Sequence, residues 1–141
     1  MTRQQTWCGL GGVVLAAFAA GWFGGAAQAQ NAAKSKVYEL RTYTTHEGKL
    51  PALNARFRDH TLKLFAKHGM ENIVYGTPME EENKLVYLLA HESRDAAKAS
   101  FAAFGKDPEW IAARTASEAD GKIVAKVESV FLTPTDYSPM K

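Results

Sequence analysis

The stretch Val37-Tyr38-Glu39-Leu40-Arg41-Thr42-Tyr43-Thr44 decides the fold. Its β-branched and aromatic residues suit a pleated strand. Successive side chains of a strand alternate between faces. Val37, Glu39, Arg41 and Tyr43 therefore share one face, and Tyr38, Leu40, Thr42 and Thr44 the other. A row of Glu, Arg and Tyr is costly on a buried face unless its charges are paired. That face is either solvated or lines a polar cavity.

N-terminal to this strand the sequence changes in kind. Arg3 is the only charge before Lys34, and the run from Gly9 to Ala27 is apolar, rich in Ala and Gly. Ala27-Gln28-Ala29 follows, a small-x-small triplet of the sort a signal peptidase cuts. Residues 1–29 read as a secretory signal cleaved after Ala29, residues 30–36 as a polar linker, and the product as periplasmic or secreted. The alternative is an uncleaved anchor, since the apolar run approaches the roughly 20 residues that span a bilayer. Cys8, the single cysteine, precedes the apolar run, which argues against a lipoprotein anchor. Once the leader is gone the chain has no disulfide, no thiol nucleophile and no thiolate metal ligand, and no membrane segment.

The whole chain of 141 residues fits one domain, with 46% hydrophobic and 23% charged residues, ordinary globular values. A formal charge of +2 is too small to argue for nucleic acid or an anionic membrane surface. A domain this small buries only about two thirds of its unfolded surface, so dimerisation is a natural supplement.

C-terminal to the first strand, Leu50, Leu53, Phe57 and Leu64 keep one face of a helix that begins near Lys49 and closes at His68-Gly69. Asn72 to Thr77 and Lys84 to His91 read as a hairpin. Ser93 is an N-cap for a second helix. Asp107-Pro108-Glu109-Trp110 starts a third, with Asp as cap, Pro in the first turn and Glu beside the helix N-terminus. Lys122 to Leu132 alternates as a last strand. The order strand, helix, strand, strand, helix in two pieces, strand is the βαββαβ, ferredoxin-like plan of an α+β domain with an antiparallel sheet. Its helices cover one sheet face. The bare face calls for a partner sheet, which would make a homodimeric α/β barrel.

Tyr38-Glu39-Leu40-Arg41-Thr42-Tyr43, His68-Gly69-Met70, Leu85-Val86-Tyr87-Leu88-Leu89 and Asp107-Pro108-Glu109-Trp110 together resemble the NIPSNAP family, over about residues 36–139. The resemblance implies a dimeric α+β barrel, a homodimer and poorly defined biochemistry; no tightly bound cofactor is expected. The mitochondrial and vesicular roles associated with eukaryotic members do not carry over to a short exported chain. The wider barrel group includes cofactor-free monooxygenases, haem-degrading enzymes and small isomerases, so the fold leaves function open.

The candidate ligand site is Glu39, Arg41 and Tyr43 of the first strand with Tyr87 and His91 of the third, expected on the bare sheet face together with Lys126 and Glu128. The competing reading of that set is an ion-pair network that only holds the dimer. His60 falls between Phe57 and Leu64, either as a hydrogen-bonded core residue or reaching a helix–sheet cavity. His68 serves the helix C-terminus, and His46 sits in a turn. No two histidines flank an acidic residue at helical metal spacing, so no metal is expected. There is no G-x-S-x-G elbow and no phosphate-binding glycine loop.

Three functions fit. One is a binding protein whose inter-sheet cavity takes a small aromatic or weakly acidic molecule, with Arg41 as its charged fork and Tyr43 and Tyr87 as walls. Another is a cofactor-independent monooxygenase or isomerase using His60 or His91 as base and Tyr43 to position substrate. The last is a structural dimer serving a protein partner.

Overall fold

The computed structural model describes residues 35–141; the expected signal peptide and most of the linker lie outside them. Strands β1 (Val37–Thr45), β2 (Glu71–Gly76), β3 (Lys84–His91) and β4 (Val124–Leu132) form one sheet in the order β2-β3-β1-β4. All three pairings are antiparallel, with Arg41 of β1 opposite Tyr87 of β3 and Ser129 of β4. This is the expected ferredoxin-like topology, with the quoted stretch as an inner strand.

The first helical segment is not a uniform α-helix. Helix α1 (Leu50–Arg56) runs through a π-helical turn, Phe57–Thr61, into α2 (Leu62–Lys67). The Leu62 N–H donates to Phe57 O, five residues back, and the Thr61 hydroxyl donates to Arg56 O at 3.2 Å. The wide turn holds one residue more than an α turn. The inward position therefore moves from residue 60 to 61: Phe57, Thr61, Leu64 and Phe65 are buried and His60 is exposed. The expectation that His60 lies on the apolar stripe, in the core or at a helix–sheet cavity, is thus corrected by the helix's own change of period.

Glycine ends α2. Gly69 has φ +76°, its N–H reaches Ala66 O, and the Met70 N–H reaches Phe65 O. These are the paired bonds of a Schellman stop, with Met70 folded back into the core. Helix α3 (Arg94–Phe104) starts where the Ala96 N–H donates to Ser93 Oγ at 3.0 Å. Helix α4 (Pro108–Ser117) starts where the Glu109 N–H donates to Asp107 Oδ1 at 2.9 Å. Asp107 also pairs with Lys67 at 2.9 Å and His68 at 2.7 Å, so the end of α2 and the start of α4 are tied by one carboxylate.

The helices rest mainly on β2 and β3, where Leu85, Tyr87 and Leu89 meet Leu53, Phe57, Leu64 and Phe65. Tyr87 stacks on Tyr75 at 5.1 Å and meets the Phe57 ring at 5.2 Å. Edge strand β4 extends beyond this layer and is largely exposed on both faces. On the opposite sheet face, Val74, Leu88, Leu40 and Val130 lie in register across all four strands. Three of them, Val74, Leu40 and Val130, are exposed.

Two outcomes test these terminators. Gly69→Ala forces a side chain into a left-handed conformation and should cost about 1 kcal/mol in urea unfolding. The Asp107 carboxyl is held well below its ordinary value of 3.8, chiefly by hydrogen bonds from Lys67 and His68. A depressed folded value means that its stabilisation is complete above pH 3.8 and is lost as pH falls below it. Asp107→Asn should therefore unfold at lower urea than the native chain near neutral pH, and the gap should close in acid.

Candidate functional site

Alternation on β1 sends Glu39, Arg41 and Tyr43 toward the helices. Tyr43 meets Phe57 at 5.8 Å and the Arg41 guanidinium lies 4.4 Å from the centre of the Phe101 ring of α3. Tyr87 and His91 of β3 share that covered face, whereas Lys126 and Glu128 lie on the bare one, paired with each other at 2.8 Å. The expected site is thus split. Its five central residues come together, but under the helices and not between two sheets. Charge composition alone misassigned the face, because the charges are satisfied within the covered layer.

Glu39 is the hub, 2% exposed. Its Oε1 accepts from Arg41 Nη1 at 2.6 Å and from Ser129 Oγ at 2.5 Å, and its Oε2 lies 3.0 Å from His91 Nε2. Burial pushes its pKa up, but the hydrogen bonds from His91 and Ser129 and the Arg41 charge outweigh it and hold the carboxyl below its ordinary 4.5. An ionised carboxylate only accepts, so His91 Nε2 carries the proton and donates. His91 Nδ1 is buried without a partner. Sequence reading missed Ser129; its place opposite Arg41 in the β1–β4 register is the signal that finds it.

Tyr87 lies between Arg41 and Tyr43, and its hydroxyl is buried without a partner. Burial raises its pKa far above the ordinary value of 10, Tyr43 adds to this, and the Arg41 charge offsets only part. Burial likewise raises Tyr75, whose hydroxyl donates to Asn72 Oδ1 at 2.5 Å. These two phenols stay neutral at physiological pH and offer hydrogen bonds, not bases.

A cleft of about 690 Å³ opens between α3 and the overhanging β4. Glu39 and Arg41 form its floor, Phe101 and Phe131 its walls, and Arg94 and Lys98 its rim. The Arg94 guanidinium lies over Phe131 at 4.8 Å. This arrangement can hold an anion against an aromatic wall. Among the described residues, no three His, Cys, Asp or Glu side chains come together as a metal site, and no helix is long and apolar enough to cross a membrane.

Comparison with known proteins agrees with this architecture. The NIPSNAP family model matches residues 38–139. A NIPSNAP family protein with unknown function from Agrobacterium tumefaciens is 24% identical, superposes with a TM-score of 0.67, and the match covers 77% of this chain and 96% of that one. An uncharacterized NIPSNAP domain protein from Burkholderia xenovorans is 23% identical with a TM-score of 0.62, covering 73% and 98%. SnoaB, a cofactor-independent oxygenase from Streptomyces nogalater, is 19% identical with a TM-score of 0.53, covering 74% and 98%; this likeness concerns the fold. No curated protein matches the chain.

Removing the hub charge should be expensive. Glu39→Gln keeps the volume but leaves Arg41 without its counter-ion, and should destabilise the domain by about 3 kcal/mol in chemical denaturation. Pairing Glu39→Leu with Arg41→Met should recover part of that loss, since no buried charge is then left alone.

Proposed function

This chain belongs to the NIPSNAP family, and from that premise we propose that its domain works as an exported homodimer that binds a small acidic aromatic molecule. The observation that carries this reading is the cleft over Glu39 and Arg41. Arg41, Arg94 and Lys98 outnumber Glu39 and Asp95 around it, and Phe101 and Phe131 supply flat apolar walls. The Arg41 side chain is 16% exposed and Glu39 takes only its Nη1, so its fork has a donor left. The homodimer rests on the apolar row from Val74 to Val130, whose burial against a second sheet would remove exposed apolar area from water. Export rests on the composition of residues 1–29.

One observation favours a second reading, catalysis without a cofactor. His91 is oriented by Glu39 and its Nδ1 has no partner, the tautomer a general base uses, although this nitrogen is buried behind Glu39 and outside the cleft lining. His60, the other histidine considered as base, is exposed and away from the cluster. Tyr43, expected to position a substrate, lies beside Tyr87 at 5.4 Å and does not line the cleft over Glu39.

Native mass spectrometry of the protein recovered from the exported fraction of its own cell tests the proposal. The expected species is a dimer at the mass of residues 30–141 carrying a small acid that Arg41→Ala no longer retains. A monomer would overturn the dimer. A bound molecule indifferent to Arg41→Ala would overturn the cleft. Turnover of the bound molecule that is lost in His91→Gln, with Glu39 intact, would favour the catalytic reading.

A further inference from the structure

A second cavity, of about 290 Å³, lies at the other end of the covered face, between the π-helical turn, α4 and the start of β4. Tyr43 faces it, and Glu39 and Arg41 do not. It is therefore separate from the cleft over Glu39. Its walls are aromatic: Tyr43, Phe57, Phe65, Phe104 and Trp110, with Phe104 and Trp110 packed at 4.4 Å. Its volume is roughly twice the ~150 Å³ void that accepts benzene, room for one or two fused rings.

Charge in this cavity is unbalanced. Arg56, Arg114 and Lys122 line it against one carboxylate, Glu118. Arg56 is a buried arginine on α1, immediately before the π turn. Its Nη1 is spent on Ser117 Oγ and Glu118 Oε1, each at 3.2 Å, and its guanidinium carbon lies 5.2 Å from the Trp110 ring centre. Its Nε is buried with no partner. That nitrogen is shut away from the cavity, but Nη2 has no protein acceptor, so the guanidinium keeps a charged donor for a carboxylate. Burial raises the pKa of Glu118, but the Arg56 hydrogen bond and the Arg56 and Arg114 charges outweigh it, so Glu118 stays ionised and cancels only one of the three cations.

The π turn supplies a reason for the shape. Its extra residue puts Phe57 and Thr61 on the cavity wall and turns His60 outward. An interrupted helix is a cost to the fold, and such interruptions recur at functional sites. We infer that this cavity binds a planar aromatic monocarboxylate, its rings between Phe57 and Trp110 and its carboxylate drawn to Arg56, with Lys122 and Arg114 at the mouth.

The probe is 2-naphthoate, with neutral 2-naphthamide as the isosteric control, titrated into the 15N-labelled protein and followed by NMR. The expected result is saturable shifts at the Trp110 indole, the Arg56 Nε–H and the amides of Thr61 and Lys122, with the amide control weaker by about tenfold. Arg56 variants can fail to fold, so the decisive variant is the exposed pair Arg114→Ala with Lys122→Ala. It should weaken naphthoate several-fold and leave naphthamide unchanged. Equal binding of the two probes, or no saturation by about 10 mM, would overturn the inference. So would shifts at Arg41 and Phe101 instead, which would assign the acid to the other cleft and leave the proposed function standing.

Discussion

One buried carboxylate ties three strands together. Glu39 sits on β1, and its partners come from β1 itself, from β4 through Ser129 and from β3 through His91. A carboxylate taken out of water costs several kcal/mol unless donors replace the lost hydration. Those donors meet it in only one register. Slipping any strand by one residue would send its donor to the opposite face of the sheet. The register places Arg41 opposite Tyr87 and Tyr43 opposite Leu85, and so sets where polar residues stop and the aromatic core begins.

The second constraint is a mismatch of widths. The helical layer covers β2 and β3, while the sheet continues through β1 to β4. Side chains on the covered face of β4 have little above them, and Val127 is 44% exposed there. The two cavities are the two ends of this overhang, one against α3 and one against α4. β1 runs past both, contributing Glu39 and Arg41 to one and Tyr43 to the other. The polar strand is therefore the wall between two recesses of different character, the larger floored by an ion pair, the smaller lined by rings.

Caps, ion pairs and a glycine stop fix the helix ends beside these recesses. Ser93 caps α3, Asp107 caps α4 and binds Lys67 and His68 at the end of α2, and Gly69 closes the chain behind them. Trp110 follows Asp107 within the first turn of α4, so the capping carboxylate also positions the ring that walls the smaller cavity.

Topology was legible in the sequence because alternation, caps and glycine stops are local: β1, β3, Ser93, Asp107 and Gly69 each announce themselves within a few residues. The membership of the polar cluster was legible too, since period two alone groups Glu39 with Arg41 and Tyr43, and Tyr87 with His91. What alternation cannot say is which face the helices choose, and the charged row pointed to the wrong one. Pairing decides that question, and Ser129, which completes the pairing, lies 90 residues from Glu39. His60 was misplaced for a similar reason. A π turn has no strong local signature, and one extra residue rotates everything after it. The cavity around Arg56, Trp110 and Glu118 had no signal in the sequence, because it is made of residues from segments that meet only when the helices pack. By itself the sequence determined the order of elements and the set of polar residues on each strand. Only the tertiary structure decided which face is covered, who neutralises whom, and where the uncovered edge leaves room, because burial and ion pairing depend on contacts between residues far apart in the chain.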